Sequence, residues 1–500
     1  MDLLHNLGLG LSTAVSLENL AYCFIGCLLG TLVGVLPGIG PAATIAMLLP
    51  ATFSLGPAPA LIMMAGIYYG AQYGGSTTAI LVNLPGESSS VVTTIDGYQM
   101  ARQGRGGVAL TTAALGSFFA GTVATLLIAV AAPYLADVSL SFGAPEYFSL
   151  MVLGLVGSVV LARGSLIKAF AMVLLGLIIG LVGTDVNSGA RRFVFGFGEL
   201  AGGVSLVAVA MGMFGLAEII QNLQNQAGGT SALFARVTSL MPSRADLRAM
   251  IPPILRGTAL GSVLGVLPGG GALLSSFAAY TLEKKIARDP SRFGHGAIEG
   301  VAAPEAANNA GAQTSFIPLL TLGIPSNAIM ALMAGAMIIQ GIQPGPGVMT
   351  KQPELFFGLI ASMWIGNVML LVLNLPLVGI WVQLVRLPYR FLYPAILVFC
   401  AIGVFTINGL TFDIYLMAVF GVAGYIFAKL DCEPAPLLLG LILGPLMEEY
   451  FRRALLIARG DFTVFLTQPI SAALLVMTAV AVIAVASPSL RKRRDEALQE

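Results

Sequence analysis

An apolar run cut by Gly34-Val35-Leu36-Pro37-Gly38-Ile39-Gly40, and a second cut in the same way by Gly265-Val266-Leu267-Pro268-Gly269-Gly270-Gly271, restrict this chain more than any other feature. Proline cannot donate a backbone hydrogen bond, and the glycines let the chain turn or expose its amides. Of the 500 residues 57% are hydrophobic and 10% charged, against about 25% charge in a soluble chain, so these breaks belong to a membrane protein. Irregular backbone at membrane depth survives only when it is buried in protein or lines a wet cavity, because hydrocarbon offers it no partner. Matched Gly/Pro interruptions in two halves of such a chain point to the binding site of a secondary transporter.

Apolar runs near 17–36, 107–132, 145–162, 165–184, 355–380, 390–408 and 463–486 are each long enough to span, since ~20 residues cross the hydrocarbon core. With shorter and broken runs the expected total is about 10–12 transmembrane segments. No Lys or Arg precedes Arg102, so the start lacks the basic flank of a cleavable signal peptide and is expected to be retained. The net charge of +1 excludes a nucleic-acid partner, and Arg491-Lys492-Arg493-Arg494 reads as a cytoplasmic tail. Cys23, Cys27, Cys400 and Cys432 lack metal-site spacing and read as buried free thiols.

The repeat continues beyond the opening motif. Gly70-Ala71-Gln72 is matched by Gly311-Ala312-Gln313, and Asn83-Leu84-Pro85-Gly86 by Gly323-Ile324-Pro325-Ser326-Asn327. Loop charge orients the copies. Residues 41–68 carry no charge, whereas their counterparts include Lys284, Lys285, Arg288 and Arg292; after the second break the bias reverses, with Arg102 and Arg105 in the first half against Lys351 in the second. Cytoplasmic loops are rich in Lys and Arg, so equivalent loops face opposite sides and the repeats are expected to be inverted. That scheme leaves Arg191, Arg192, Arg452, Arg453 and Arg459 on the outside, against the rule.

The expected fold is therefore an all-α polytopic membrane protein with two inverted-topology repeats, re-entrant hairpins and discontinuous helices. Residues 1–222 form the first repeat, with a hairpin about Pro37 and a broken helix about Pro85, and 223–254 form a polar linker. Residues 255–354 form the core of the second repeat, with a hairpin about Pro268 and a broken helix about Pro325. Framework helices occupy 355–490, with Trp364, Trp381 and Phe391 suited to lipid contact and helix packing, and the basic tail 491–500.

Free amides at a helix start attract anions, so a carboxylate fits at Gly38, Ile39 and Gly40 and at Gly269, Gly270 and Gly271 without any buried Arg. Asn83, Pro85, Gly86, Pro325 and Ser326 complete the substrate set. Side-chain oxygens beside broken backbone suit sodium, which gives Asn83, Ser88, Ser326, Asn327 and Thr77 as metal ligands, with protons as the open alternative. Glu87 and Glu305 read equally as proton relays and as solvated loop acids, and Asp96 as a solvated one. Gln72, Thr77, Thr78, Asn308, Asn309 and Gln313 form a second rank of cavity residues. No Gly-x-x-x-x-Gly-Lys-Ser/Thr loop is present, so the chain is not by itself an ATP-driven pump, and His5 and His295 leave no histidine for a metal or catalytic site in the bilayer. No cofactor is expected apart from the coupling ion.

Val35-Leu36-Pro37-Gly38-Ile39-Gly40, Gly70-Ala71-Gln72-Tyr73-Gly74-Gly75-Ser76, Asn83-Leu84-Pro85-Gly86-Glu87 and Asp96-Gly97-Tyr98 resemble the large membrane subunit of the tripartite tricarboxylate transporters, the TctA family. So do Val266 to Gly271, Pro304-Glu305-Ala306-Ala307-Asn308-Asn309-Ala310, Leu322-Gly323-Ile324-Pro325 and Gln343-Pro344-Gly345-Pro346. Ser326-Asn327 departs from the small Gly-Ser type pair expected there. The resemblance implies a multi-pass protein of the bacterial inner membrane, importing citrate-like tricarboxylates or related carboxylates by ion-coupled symport. It also implies a small membrane subunit and a periplasmic substrate-binding protein as partners. An elevator-like shift against the framework is carried over from analogous inverted-repeat carriers. The rival readings are another binding-protein-dependent carboxylate carrier of the TRAP type, an ion channel, and a non-transporting membrane enzyme or scaffold.

Overall fold

The computed structural model describes residues 3–36, 40–139, 141–162, 165–185, 188–226, 240–267, 271–345, 347–384 and 389–486. Pro37, Gly38, Ile39, Pro268, Gly269, Gly270 and the basic tail lie outside them. In chain order the helices are α1 (Leu3–Ala14), α2 (Leu17–Gly34), α3 (Pro41–Thr52), α4 (Pro57–Val82), α5 (Val91–Met100), α6 (Gly106–Ser139), α7 (Ala144–Leu161) and α8 (Leu166–Gly180). Next come α9 (Leu206–Ala210), joined to α10 (Ala217–Gln226) by a π turn at Met211–Leu216, then α11 (Arg244–Val266), α12 (Gly271–Ile286), α13 (Glu299–Thr314), α14 (Phe316–Leu322) and α15 (Ala328–Ile339). The remainder are α16 (Gly347–Lys351), α17 (Pro353–Asn374), α18 (Val378–Leu384), α19 (Tyr389–Asn408), α20 (Thr411–Lys429), α21 (Ala435–Ile457), α22 (Val464–Thr467) and α23 (Pro469–Ala486).

Among the described residues six helices are long and apolar enough to cross a membrane, and six further apolar helices are 10–17 residues long. Exposed apolar side chains recur at helical spacing, as Ile167, Phe170, Leu174 and Ile178 on α8 and Tyr415, Val419, Val422 and Ile426 on α20. Such stripes suit lipid contact. The chain is an all-α multi-pass membrane protein whose sheet is one two-residue hairpin, Gly183–Thr184 against Arg191–Arg192.

The helices stop at both opening motifs. α2 ends at Gly34 and α3 begins at Pro41, where a missing N–H is tolerated in the first turn; α11 ends at Val266 and α12 begins at Gly271. The second breaks follow α4, capped by Asn83 in the left-handed region (φ 60°), and α14, capped by Gly323 there (φ 75°).

What presses these helices together is the absence of side chains. A Cβ on Gly26, Gly30 or Gly34 of α2 would run into the backbone of Met63, Ile67 or Ala71 on α4. One on Gly257, Gly261 or Gly265 of α11 would meet Ala303, Ala307 or Gly311 on α13. Small residues allow such approach and the dispersion contact it brings, the main attraction available between helices in lipid. Equivalent contacts make Ala71 the counterpart of Gly311, and the same register makes Asn83 the counterpart of Gly323. The alignment of Gly70-Ala71-Gln72 with Gly311-Ala312-Gln313 is therefore one position out of register, and Gln72 and Gln313 do not occupy matching places.

The two halves also interlock. α6 packs on α13 and α17 on α4, and α6 and α17 touch. The Tyr73 hydroxyl donates to Asn367 on α17 (3.3 Å), and at the matching position Gln313 accepts from Thr125 on α6. α17 thus packs on the first half with one face and leaves Val368 and Val372 exposed on another. Trp364 donates to the Thr122 carbonyl (3.1 Å) and buried Trp381 to that of Leu373 (2.8 Å). Helix α11 starts inside the stretch read as linker. Arg192 pairs with Glu448 (2.8 Å), and Arg452 with Asp185 (3.0 Å) and Glu448 (2.5 Å), so these arginines do not stand as uncompensated positive charges.

Asp96 on α5 is fully buried, contrary to its reading as a solvated acid. Its Oδ1 accepts the backbone amides of Gly294 (2.9 Å), Gly296 (2.8 Å) and Ala297 (2.8 Å), and its Oδ2 accepts the Tyr280 hydroxyl (2.9 Å). A single carboxylate thereby fastens the loop before α13 to the first half. Replacing it by Ala strands four donors, so Asp96→Ala is expected to lower stability by about 3 kcal/mol or more, read by thermal unfolding in detergent. Gly30→Val and Gly261→Val are each expected to cost at least ~1–3 kcal/mol by overpacking, whereas Gly8→Ala, with open space around it, leaves unfolding unchanged or raises it.

Candidate functional site

The four breaks meet. A cavity of about 440 Å³ is lined by Gly40, Pro41 and Ala43 at the head of α3, by Gly271 and Ala272 at the head of α12, by Pro85–Ser89 after α4, and by Asn327–Ile329 at the start of α15. Tyr68, Gln72, Phe214, Glu218 and Glu433 add to its wall. The registers of the fold recur here. Gly40 and Gly271 correspond in the register of the opening motifs. In the register that pairs Ala71 with Gly311, Glu87 corresponds to Asn327, and Tyr68 to Asn308, which bonds to Glu87. Glu87 and Asn327 both line the cavity, an acid in the first half where the second has an amide.

Each second break is folded back tightly. Gly86 lies so close to the Gly34 carbonyl and Gly75 that a Cβ would not fit, and at the matching place Ser326 donates to the Ser315 carbonyl (3.3 Å). Asn327 caps α15, its Oδ1 accepting from the Met330 amide (2.9 Å). Glu87, 6% exposed, accepts from the Ser89 hydroxyl (2.6 Å) and from Asn308 Nδ2 (3.0 Å); the Gln72 carboxamide, turned with its nitrogen inward, donates to Glu87 as well. Glu305, fully buried on α13, accepts from Ser76 (2.6 Å) and from Thr93. Both acids are interior groups rather than loop acids, and buried carboxylates are tolerated only when hydrogen-bonded in this way.

Glu218 is the acid that sequence reasoning passed over. It projects from the apolar segment Leu206–Gln224 and accepts the Gly40 amide (3.3 Å), at the N-terminus expected to receive an anion. An ionisable residue inside an apolar span is a signal that was present in the sequence. Tyr68 carried none, because its place becomes visible only through the register that the glycine contacts set.

Of the expected substrate residues, Gly40, Pro85, Gly86 and Gly271 line the cavity, while Gly38, Ile39, Gly269 and Gly270 lie outside the described residues. Asn83 is exposed as the cap of α4, and Pro325 and Ser326 are buried behind the wall. The five expected metal ligands do not form one shell. Ser88 and Asn327 line the cavity, Thr77 borders a separate void of about 10 Å³ and bonds the Tyr73 carbonyl (3.5 Å), Ser326 bonds Ser315, and Asn83 faces outward. Of the second rank, Gln72 lines the cavity and Asn308 stands behind it, bonded to Glu87 (3.0 Å), whereas Asn309 bonds Ser117 (2.7 Å) and Gln313 serves the interlock with α6.

A second cavity of about 620 Å³, between α7, α16 and α21, carries Lys351, Gln343 and Gln352. It is the roomier one, but only the first joins the interrupted backbone of both halves, where polar lining and helix-start amides coincide. Cys23, Cys27 and Cys400 are buried and free, as expected, and Cys432 is half-buried.

Comparison with known proteins agrees with this architecture. The tripartite tricarboxylate transporter TctA family matches residues 20–439. An "uncharacterized 52.8 kDa protein in TAR-I ttuC' 3'region" of Agrobacterium vitis is 60% identical over 500 residues, 100% of this chain and 99% of that protein. An "uncharacterized protein in TAR-II ttuC' 3'region" of the same organism is 60% identical over 240 residues, 48% of this chain and 99% of its own length. No solved structure matches the chain. Membership of a transporter family removes the enzyme readings: this chain belongs to the tripartite tricarboxylate transporter TctA family, whose systems comprise further subunits.

Proposed function

We propose that the chain is the large permease subunit of a tripartite secondary transporter of the bacterial inner membrane, importing tricarboxylates or related carboxylates by sodium-coupled symport. Its partners in this reading are a small membrane subunit and a periplasmic substrate-binding protein, and the family supplies that expectation. The observation that carries it is the cavity at which four backbone breaks converge. A channel needs a continuous path; a chamber walled by residues of both halves suits alternate opening to either side.

The substrate carboxylates sit against the amides at the heads of α3 and α12, with Asn327 and Gln72 donating from the walls. In this reading the loop charges orient the two repeats oppositely in the membrane. Transport then follows as an elevator-like shift of the cavity-bearing helices α2–α5 and α11–α15 against the outer helices.

Proteoliposomes holding the permease and its small subunit, supplied with binding protein, are expected to take up labelled tricarboxylate only under an inward sodium gradient, and to exchange labelled for unlabelled substrate without one. Uptake indifferent to sodium and binding protein, or conductance without exchange, overturns the reading. Asn327→Ala removes a helix cap at a cost of about 1 kcal/mol, and is expected to lower uptake by about tenfold or more through the lost amide, as initial rates will show. Asn327→Ser restores the cap but not that loss.

A further inference from the structure

The charge of the cavity is wrong for its cargo. Its described lining includes Glu87 and Glu218, with no Lys, Arg or His. A substrate carboxylate about 4 Å from an ionised Glu87 meets a repulsion of ~4 kcal/mol at an effective dielectric constant of 20, a factor of about 1,000 in affinity. Helix-start amides supply partial charges only. Something positive has to enter with the anion.

The surroundings of Glu87 say what. Its two carboxylate oxygens share a small volume with the Ser89 hydroxyl, which lies 2.6 Å from Glu87 Oε1 and 3.3 Å from the Gln72 carboxamide, and with Asn308, whose Oδ1 lies 3.0 Å from the Gln72 amide group. Gln72 and Asn308 can each present either nitrogen or oxygen. With nitrogens inward they satisfy the bare carboxylate, as the hydrogen bonds now do; with oxygens inward they complete a shell of neutral oxygens around a hard cation. A proton on Glu87 would cancel the charge as well, and a response to pH without sodium distinguishes the two. Oxygen ligands from three chain segments, a helix, a break and the partner half, are the kind that holds sodium beside a discontinuous helix.

We infer that the coupling cation binds at Glu87, Gln72, Ser89 and Asn308, a set different from the five residues expected from sequence, and that it presents its open side to the substrate carboxylate. The position matching Glu87 is the neutral Asn327, so each chain has one such site, in the first half. Because Asn308 belongs to the second half, the cation ties both halves together before cargo arrives. The charge argument rests on the carboxylate-carrier reading; the site itself can be tested without any substrate.

Sodium is titrated into the purified full-length chain with its small subunit, with choline replacing it at constant ionic strength and pH, while thermal unfolding and bound radioactive sodium are followed. Saturable stabilisation is expected. Glu87→Gln and Ser89→Ala are expected to raise the half-saturating sodium concentration by about tenfold or more, equivalent to ~1.4 kcal/mol each, while Thr77→Ala leaves it as in wild type. Should Glu87→Gln fail to fold, Ser89→Ala, the smaller change, decides. No sodium response in wild type, a response only to lowered pH, or wild-type saturation in Ser89→Ala and Glu87→Gln overturns the site. Sodium binding that passes this test while uptake fails would discard the carrier reading and keep the site.

Discussion

Backbone in hydrocarbon must find partners within the protein, and everything else in this fold is arranged around four places where helices cannot supply them. The ends of α2, α4, α11 and α14 leave amides and carbonyls without helical partners, and residues beside each of these breaks line one shared cavity. Glycine makes that possible. Gly26, Gly30 and Gly34, and again Gly257, Gly261 and Gly265, bring the backbones of α2 and α4, and of α11 and α13, closer than any side chain would allow. The breaks are held at fixed relative positions by the most rigid contacts available to a membrane helix.

The interlock has a further consequence. α6 and α17 each cross to the opposite half, and the hydrogen bonds Tyr73–Asn367 and Thr125–Gln313 fix the crossing at matching depth. Asp96 adds a carboxylate clamp at one end. Neither half could keep its half of the cavity in shape alone, since the wall of each is supported by a helix of the other. The polar residues of α13 are almost all spent in this way. Glu305, Asn309 and Gln313 have side-chain partners on neighbouring helices, and Asn308 reaches across to Glu87, a residue of the other half that faces the cavity.

Much of this was legible in the residues. The twin motifs located the helix ends at Gly34 and Val266 and the restarts at Pro41 and Gly271, because proline and glycine act locally and their effect does not wait for packing. The ranking of side chains within the site was not legible. Asn83, prominent beside its proline, is an exposed helix cap, while of the residues assigned a lesser place Gln72 lines the cavity and Asn308 bonds Glu87 from behind it. Sequence proximity to a break says little about which way a side chain points once the chain turns through a left-handed residue.

The sequence alone determined that this is an all-α membrane protein with a repeated interrupted pattern, since hydropathy and the conformational limits of Pro and Gly are properties of single residues and short segments. Only the tertiary structure decided that the repeat runs in two registers, one relating Gly34 to Gly265 and the other Ala71 to Gly311. It also decided that α17 packs against the helices of the first half, that Asp96 is buried, and that Glu87 and Glu218 converge on a chamber without a basic group among its described lining residues. Those facts depend on which surfaces meet across long stretches of chain, and no local preference encodes that.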